Sequence, residues 1–199
     1  MSLSDADILT RVQQGEHELF GQLVMRYTDR FLRVAQSKLG DCATAEDVVQ
    51  ETFLAAFAAR DSYKPEFAVS TWLWTILLNL CRSRWKKQHK RPWEQSGLTH
   101  ESAAASPTSE EPSVLSWLIA EEERGLLHQF LSELPEPQAD ALRLRFFGGL
   151  KYEQIAMTTG CSLSGAKRRV KTGLERLSER VQNSGSFETT SKSPLEESS

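Results

Sequence analysis

Cysteine is scarce in this chain. Its 199 residues include three, Cys42, Cys81 and Cys161, far apart in the sequence, with no CxxC and no histidine at ligand spacing. That argues against a disulfide framework and a metal site, and for reduced, mostly buried thiols in a cytoplasmic protein. Positive charge is not in excess either. The net charge is −3 and the isoelectric point about 5.9, so the whole chain carries no basic signature of nucleic-acid binding. Long apolar runs are missing. The strongest, near residues 72–81, is about half of what a membrane span needs. The N-terminus, MSLSDADILTRV, lacks the basic and apolar regions of a signal peptide, so direct membrane insertion is not expected. No phosphate-cradling glycine loop, metal cluster or nucleophile–base set appears. An enzyme is therefore the least favoured reading, with no catalytic residue and no cofactor expected.

What the chain does have is segregated charge. Residues 82–91 and 167–171 are basic, whereas 46–51, 110–123 and 188–197 lean acidic. Segregation lets one chain meet DNA at one surface and a basic protein surface at another. The most informative stretch is TWLWTILLNLCRSRWKKQHKR, residues 71–91. Trp72, Ile76 and Leu80 recur every four residues, with Leu73, Leu77 and Cys81 beside them, which predicts a buried helix. Its second half is cationic and carries Trp85. Such an end can lay cations along phosphates and a ring against bases; the plain alternative is a core helix with a solvated basic end.

Three helices are predicted before it. Ser4 and Asp7 form a capping-box pattern ahead of Ile8, Leu9 and Val12. Residues 17–39 place Phe20, Leu23, Val24, Tyr27, Phe31 and Val34 on one face, closed by Gly40. In ATAEDVVQETFLAAFAA, residues 43–59, Thr44 and Asp47 read as a capping box, and Val49, Phe53, Ala56 and Phe57 face inward. Asp47, Gln50, Glu51 and Leu54 mark the other side. Either Ser70 or Thr71 is expected to cap the central helix.

Residues 93–112 are rich in Ser, Ala, Glu and Pro and read as a flexible linker between two small helical domains, 1–92 and 113–182. In the second, a helix ends at Pro135. Another covers Gln138 to Phe147 with Ala139, Leu142 and Phe146 inward, stopped by Gly148-Gly149. Then Tyr152 to Thr159, the turn Gly160-Cys161-Ser162, and a helix from Ser164 or Gly165 to about Val181 follow the helix-turn-helix plan. Its inward residues are Ala166, Val170, Leu174, Leu177 and Val181, and its outward face is cationic. Residues 183–199 read as a disordered tail.

Taken together, these motifs resemble the extracytoplasmic-function (ECF) sigma factors of the bacterial sigma-70 family. TAEDVVQETFLAAF resembles the region 2 signature "DAEDLVQETFLRAW", and FAVSTWLWTILLNLCRSRWKKQHKR resembles "F..WL..IA.N...D..R...R". LSELPEPQADALRLRFFGGLKYEQIA resembles the start of region 4, and GCSLSGAKRRVKTGLERL its recognition half, "G.S.GTVKSRL.RAR..L". The order and separation of the four also match. The resemblance implies an all-α chain that joins RNA polymerase core through its beta-prime and beta subunits and selects promoters. It assigns Asp47, Gln50 and Glu51 to polymerase binding, where carboxylates can pair with a partner's arginines. It assigns the loop from Asp61 to Phe67, with Asn79, Arg82, Arg84, Trp85, Lys86 and Lys87, to the promoter −10 element and its melting. Ser164, Lys167, Arg168 and Lys171 would read the −35 element, with Arg169 directed at a phosphate. An anti-sigma factor is a regulator the family commonly has.

This chain departs from the family pattern at Gly165 (commonly Thr), Ala166 (commonly Val), Arg168 (frequently Ser) and Thr172-Gly173-Leu174 (often Arg-Ala-Arg). Those changes bear on −35 preference more than on DNA binding. Gly173 is expected to weaken its helix by up to about 1 kcal/mol relative to Ala. Two other classes stand beside this reading: a stand-alone helix-turn-helix regulator, and a sequestered interaction module with degenerate DNA elements.

Overall fold

Four helices that share one aromatic core build the N-terminal half. The computed structural model describes residues 3–89 and 125–188, and the expected linker and the tail from residue 189 onward lie outside them. Helix α1 (Asp5–Gln13) starts in the predicted capping box, Ser4 and Asp7 bonding reciprocally. A short 3-10 turn (His17–Leu19) leads into α2 (Phe20–Leu39), which ends on Gly40 in the left-handed region. Helix α3 spans Cys42–Ala58, and α4 spans Val69–His89. Phe31 of α2 is the hub, edge-on to Trp74 of α4 with centroids 4.5 Å apart and stacked on Phe53 of α3 at 5.4 Å. Tyr27 ties α1 to this core by donating its hydroxyl to Asp5. Burial, then that bond, raises the phenol well above its ordinary range.

Two predicted caps form elsewhere. Asp41, not the Thr44/Asp47 pair, caps α3 by accepting from the Thr44 amide at 2.7 Å. One turn of helix is gained, and Asp47 is left free for other work. Helix α4 begins before Ser70, because the Trp72 amide already donates to the Ala68 carbonyl. Burial of Val69 draws the first turn into the core, and Thr71 is buried within it.

The C-terminal half comprises α5 (125–133), α6 (Glu136–Leu142), α7 (Tyr152–Thr159) and α8 (Leu163–Glu188). A π-helical turn, Arg143–Phe147, extends α6. Its wide closure, with the Gly148 amide reaching back to the Arg143 carbonyl, shifts the register. Arg143 and Leu144 therefore turn inward, and Phe146, predicted inward, is 60% exposed.

Helix α7 ends in a Schellman pattern: Gly160 is left-handed, and the Cys161 amide bonds the Ala156 carbonyl. Ser162 caps α8 by accepting from the Gly165 amide at 3.1 Å. Along α8, Ala166 and Val170 are buried as expected, but Leu174 is 41% exposed, and Gly173 lies inward in its place. At 100° per residue, Gly173 falls about 20° from Ala166 and Leu174 about 80°. The helix also continues to Glu188, into the segment read as tail.

Only helices and turns occur among the described residues, as the sequence predicts. The two halves also touch. Gly148 packs so closely on Trp74 that a Cβ there would lie 3.1 Å from its ring. The Gly148 carbonyl accepts from Arg30 at 2.7 Å. The apolar core is therefore continuous from α2 and α4 into α6 and α7.

Candidate functional site: three exposed helix faces

The outer face of α3 is polar at its start and apolar beyond. Asp47, Gln50 and Glu51 are all exposed, and Leu54, one turn on, is 64% exposed. Val48, Val49, Thr52 and Phe53 bury the opposite side, which holds the polar residues outward. An open groove of about 440 Å³ runs between α2 and α3, lined by Phe20, Val24, Leu32, Val49, Phe53 and Phe57, with Gln50 and Leu54 at its edge. The sequence singles out the polar residues but not the groove. Val24, read as core, is a half-buried wall of it.

Helix α4 divides its predicted DNA-facing residues. Asn79, Lys86 and Lys87 are exposed. Arg84 turns toward α3, where it donates to Glu51 at 3.3 Å. Arg82 turns the other way, onto the C-terminal half, with Nη2 2.9 Å from Asp140. Trp85 is half-buried and lines a crevice with Leu131, Leu134 and Ala139. The loop ahead of α4 is held by Tyr63, whose ring lies 5.3 Å from Trp72 and whose hydroxyl donates to the Phe67 carbonyl. Phe67 itself is 56% exposed.

Helix α8 presents Ser164, Lys167, Arg168 and Lys171 to solvent. Ala166 and Val170, buried against α7, hold that face outward. Lys171 has one weak neighbour, Glu175, at 3.8 Å. Arg169, expected to point at a phosphate, instead donates to Thr159 at 3.1 Å and braces the turn.

One cluster escapes the sequence reading. Asp140, wholly buried, accepts from Lys38 at 2.7 Å and from Arg82. Glu136 approaches both cations, Lys38 at 3.1 Å and Arg82 at 3.7 Å. Arg143 lies 3.7 Å from Asp140, and burial lowers the pKa of its guanidinium. The hydrogen-bonding partners of Asp140, Lys38 and Arg82, lie 102 and 58 residues away, so no local pattern announces them.

Residues 23–91 match the family described as Sigma-70 region 2, and residues 124–177 match Sigma-70, region 4. The chain is 30% identical to the RNA polymerase sigma-H factor of Pseudomonas aeruginosa over 184 residues, covering 89% of this chain and 94% of that protein. It is also 30% identical to the ECF RNA polymerase sigma-E factor of Escherichia coli K12, covering 90% and 95%. Among solved structures, the sigma factor RpoE of Bartonella quintana, in complex with the anti-sigma factor NepR, aligns with a TM-score of 0.60 and 28% identity, covering 82% of this chain and 96% of that one. CnrH, in complex with the cytosolic domain of CnrY, shares the fold with a TM-score of 0.70 at 22% identity, covering 90% and 97%. Two family regions in the right order on an all-α frame, with relatives along nearly its whole length, exclude an enzyme and a stand-alone regulator: the chain belongs to the ECF sigma factors of the sigma-70 family and acts in transcription initiation.

Proposed function

We propose that this sigma factor grips core RNA polymerase through Asp47, Gln50 and Glu51 of α3, together with the apolar groove beside them. It contacts −10 DNA through Asn79, Arg82, Arg84, Trp85, Lys86 and Lys87 of α4, and −35 DNA through Ser164, Lys167, Arg168 and Lys171 of α8. The observation that carries this reading is the α3 face, where exposed carboxylates and an amide stand beside an open apolar groove. A protein partner can satisfy both at once, with charge setting orientation and apolar area supplying affinity. The exposed cations of α8 suit a helix lying in the major groove. Residues 1–92 and 113–182 are the two working domains, and residues 93–112 are the linker between them. Linking two DNA grips raises the effective concentration of the second once the first has engaged.

The factor works in the cytoplasm, where its polymerase is, and no described helix is long and apolar enough to cross a membrane. An anti-sigma factor regulates it, in keeping with the complex formed by the Bartonella relative. Run-off transcription with purified core polymerase on a promoter library tests the proposal. Promoter-specific transcripts that weaken with the Asp47→Ala/Glu51→Ala variant are expected. Full transcription by that variant would remove the α3 face from the contact.

A further inference from the structure

We propose that Arg169 is a positioning residue for −35 recognition: tied to Thr159 behind the turn, it fixes the pitch of α8 on α7, and so the placement of Ser164, Lys167 and Arg168, without touching DNA. The inference rests on the reading of α8 as the −35 helix and adds the device that aims it. At 100° per residue, Ser164, Lys167, Arg168 and Lys171 share one face of α8, and Arg169 leaves the helix about 150° from the centre of that face. It lies on the flank of the buried stripe formed by Ala166 and Gly173 and is itself half-buried. A side chain aimed that way reaches back over the turn and not out toward a duplex lying on the exposed face.

What Arg169 reaches is a knot of hydrogen bonds. Its Nη1 donates to Thr159 Oγ1 at 3.1 Å, ten residues back. The Thr159 hydroxyl gives its own hydrogen to the Ile155 carbonyl at 2.8 Å, one turn earlier in α7. With that hydrogen placed, the Cys161 sulfur, 3.3 Å away, meets the same oxygen as a thiol donor. One oxygen therefore joins α7, the turn and α8, with its hydrogen and both lone pairs engaged. The tie continues forward. Ser162, beside Cys161, accepts from the Gly165 amide and lies 3.1 Å from the Ser164 hydroxyl, on the face presented to DNA. The charged donor makes the bond across the turn stronger than a neutral one. Where a recognition helix enters the groove decides which side chains reach base edges. Loosening the knot thus misplaces the reading residues together and not one by one.

Holoenzyme assembled from core polymerase and the full chain is titrated, by fluorescence anisotropy, against a labelled promoter duplex from the run-off library and against duplexes changed singly in the −35 element. The ratio of affinities between unchanged and changed duplexes does not depend on the folded fraction, so a loss of stability alone leaves it in place. Arg169→Ala is expected to weaken binding about tenfold and to shrink that ratio at several −35 positions at once. The salt slope of its logarithmic affinity should stay as in the parent, because no phosphate contact is lost. Thr159→Val, equal in shape but without the hydroxyl, should behave alike, and the double variant should be no worse than either single one. Arg169→Lys, which keeps a donor, should recover part of the ratio. Lys167→Ala, as the comparison on the exposed face, should lower the slope by about one. A slope lowered by about one in Arg169→Ala would place its guanidinium on a phosphate and overturn the proposal. An unchanged ratio in Arg169→Ala or in Thr159→Val would also overturn it. Failure of the −35 reading itself shows separately: Lys167→Ala and Arg168→Ala would then both bind as the parent does, and the proposal would fall with it.

Discussion

Arg84 of α4 donates to Glu51 of α3 across 3.3 Å, which joins a residue assigned to DNA with one assigned to polymerase. Both side chains are substantially exposed, 37% and 51%, so the pair contributes little to stability and either member can leave it for a partner. Glu51→Ala is expected to hold stability within about 0.5 kcal/mol of the parent while weakening core polymerase binding. Arg84→Ala should instead weaken DNA binding across sequences and lower the salt slope of its logarithmic affinity by about one. Equilibrium titrations against core and against DNA at several salt concentrations separate the two. Identical losses in both titrations would show that the pair acts as one unit.

The α8 cations are expected to divide by their surroundings. Lys167 and Arg168 are exposed with no acidic neighbour within ion-pair distance among the described residues, whereas Lys171 lies 3.8 Å from Glu175. Arg168→Ala should relax base preference at one −35 position, by about 1–3 kcal/mol if its contact is bidentate. Lys171→Ala should cost less, because Glu175 already offsets part of its charge. Binding to a panel of single-substituted −35 duplexes checks this, and a uniform loss for Arg168→Ala would place that residue on the backbone instead.

Two glycines mark close approaches. A Cβ on Gly148 would lie 2.8 Å from the Leu144 carbonyl oxygen and 3.1 Å from the Trp74 ring. Gly148→Ala is therefore expected to cost about 1–3 kcal/mol in urea denaturation. A Cβ on Gly173 would meet Leu142 at 2.9 Å, so Gly173→Ala should not gain the roughly 1 kcal/mol that helix propensity alone offers. Gly173→Val should be clearly destabilising. A stabilised Gly173→Ala would show that Leu142 yields at little cost.

Alkaline stability should report on Cys81. Burial pushes its thiol up from 9.0 to about 12, with Lys38 opposing and Asp140 adding to the shift. Between those values the unfolded chain loses a proton that the folded chain keeps. Stability is thus fully present below about pH 9 and falls as pH rises toward 12, by on the order of a few kcal/mol. Urea denaturation from pH 8 to 11 should show a shallower decline for Cys81→Ala. Equal slopes would assign the loss to the tyrosines. At neutral pH a thiol reagent should spare Cys81 and reach the half-buried Cys42 and Cys161 first.

The outcome at particular residues shows where reading from sequence succeeds. The stripe from Phe20 to Val34, the Ser4 box, the Gly40 and Gly160 stops and the exposed faces of α3 and α8 are written in spacing of three to four residues, and apart from the half-buried Val24 they form as read. Phe146 and Leu174 fail because a π-turn and the drift of a four-residue repeat rotate them away from the core. Neither effect has a local signature in side-chain type.

By itself, the sequence determined the helices, their caps to within a turn, the polar faces of α3 and α8 and the family, because all of these depend on neighbours within a few positions or on four motifs in order. Only the tertiary structure decided what α4 does with its cations. Arg82 meets Asp140, Arg84 meets Glu51, and Lys86 and Lys87 meet no acidic partner among the described residues, although the four lie within six residues. The physical reason is helical rotation: at 100° per residue, adjacent cations leave in different directions, and what each one meets is set by helices packed from distant parts of the chain.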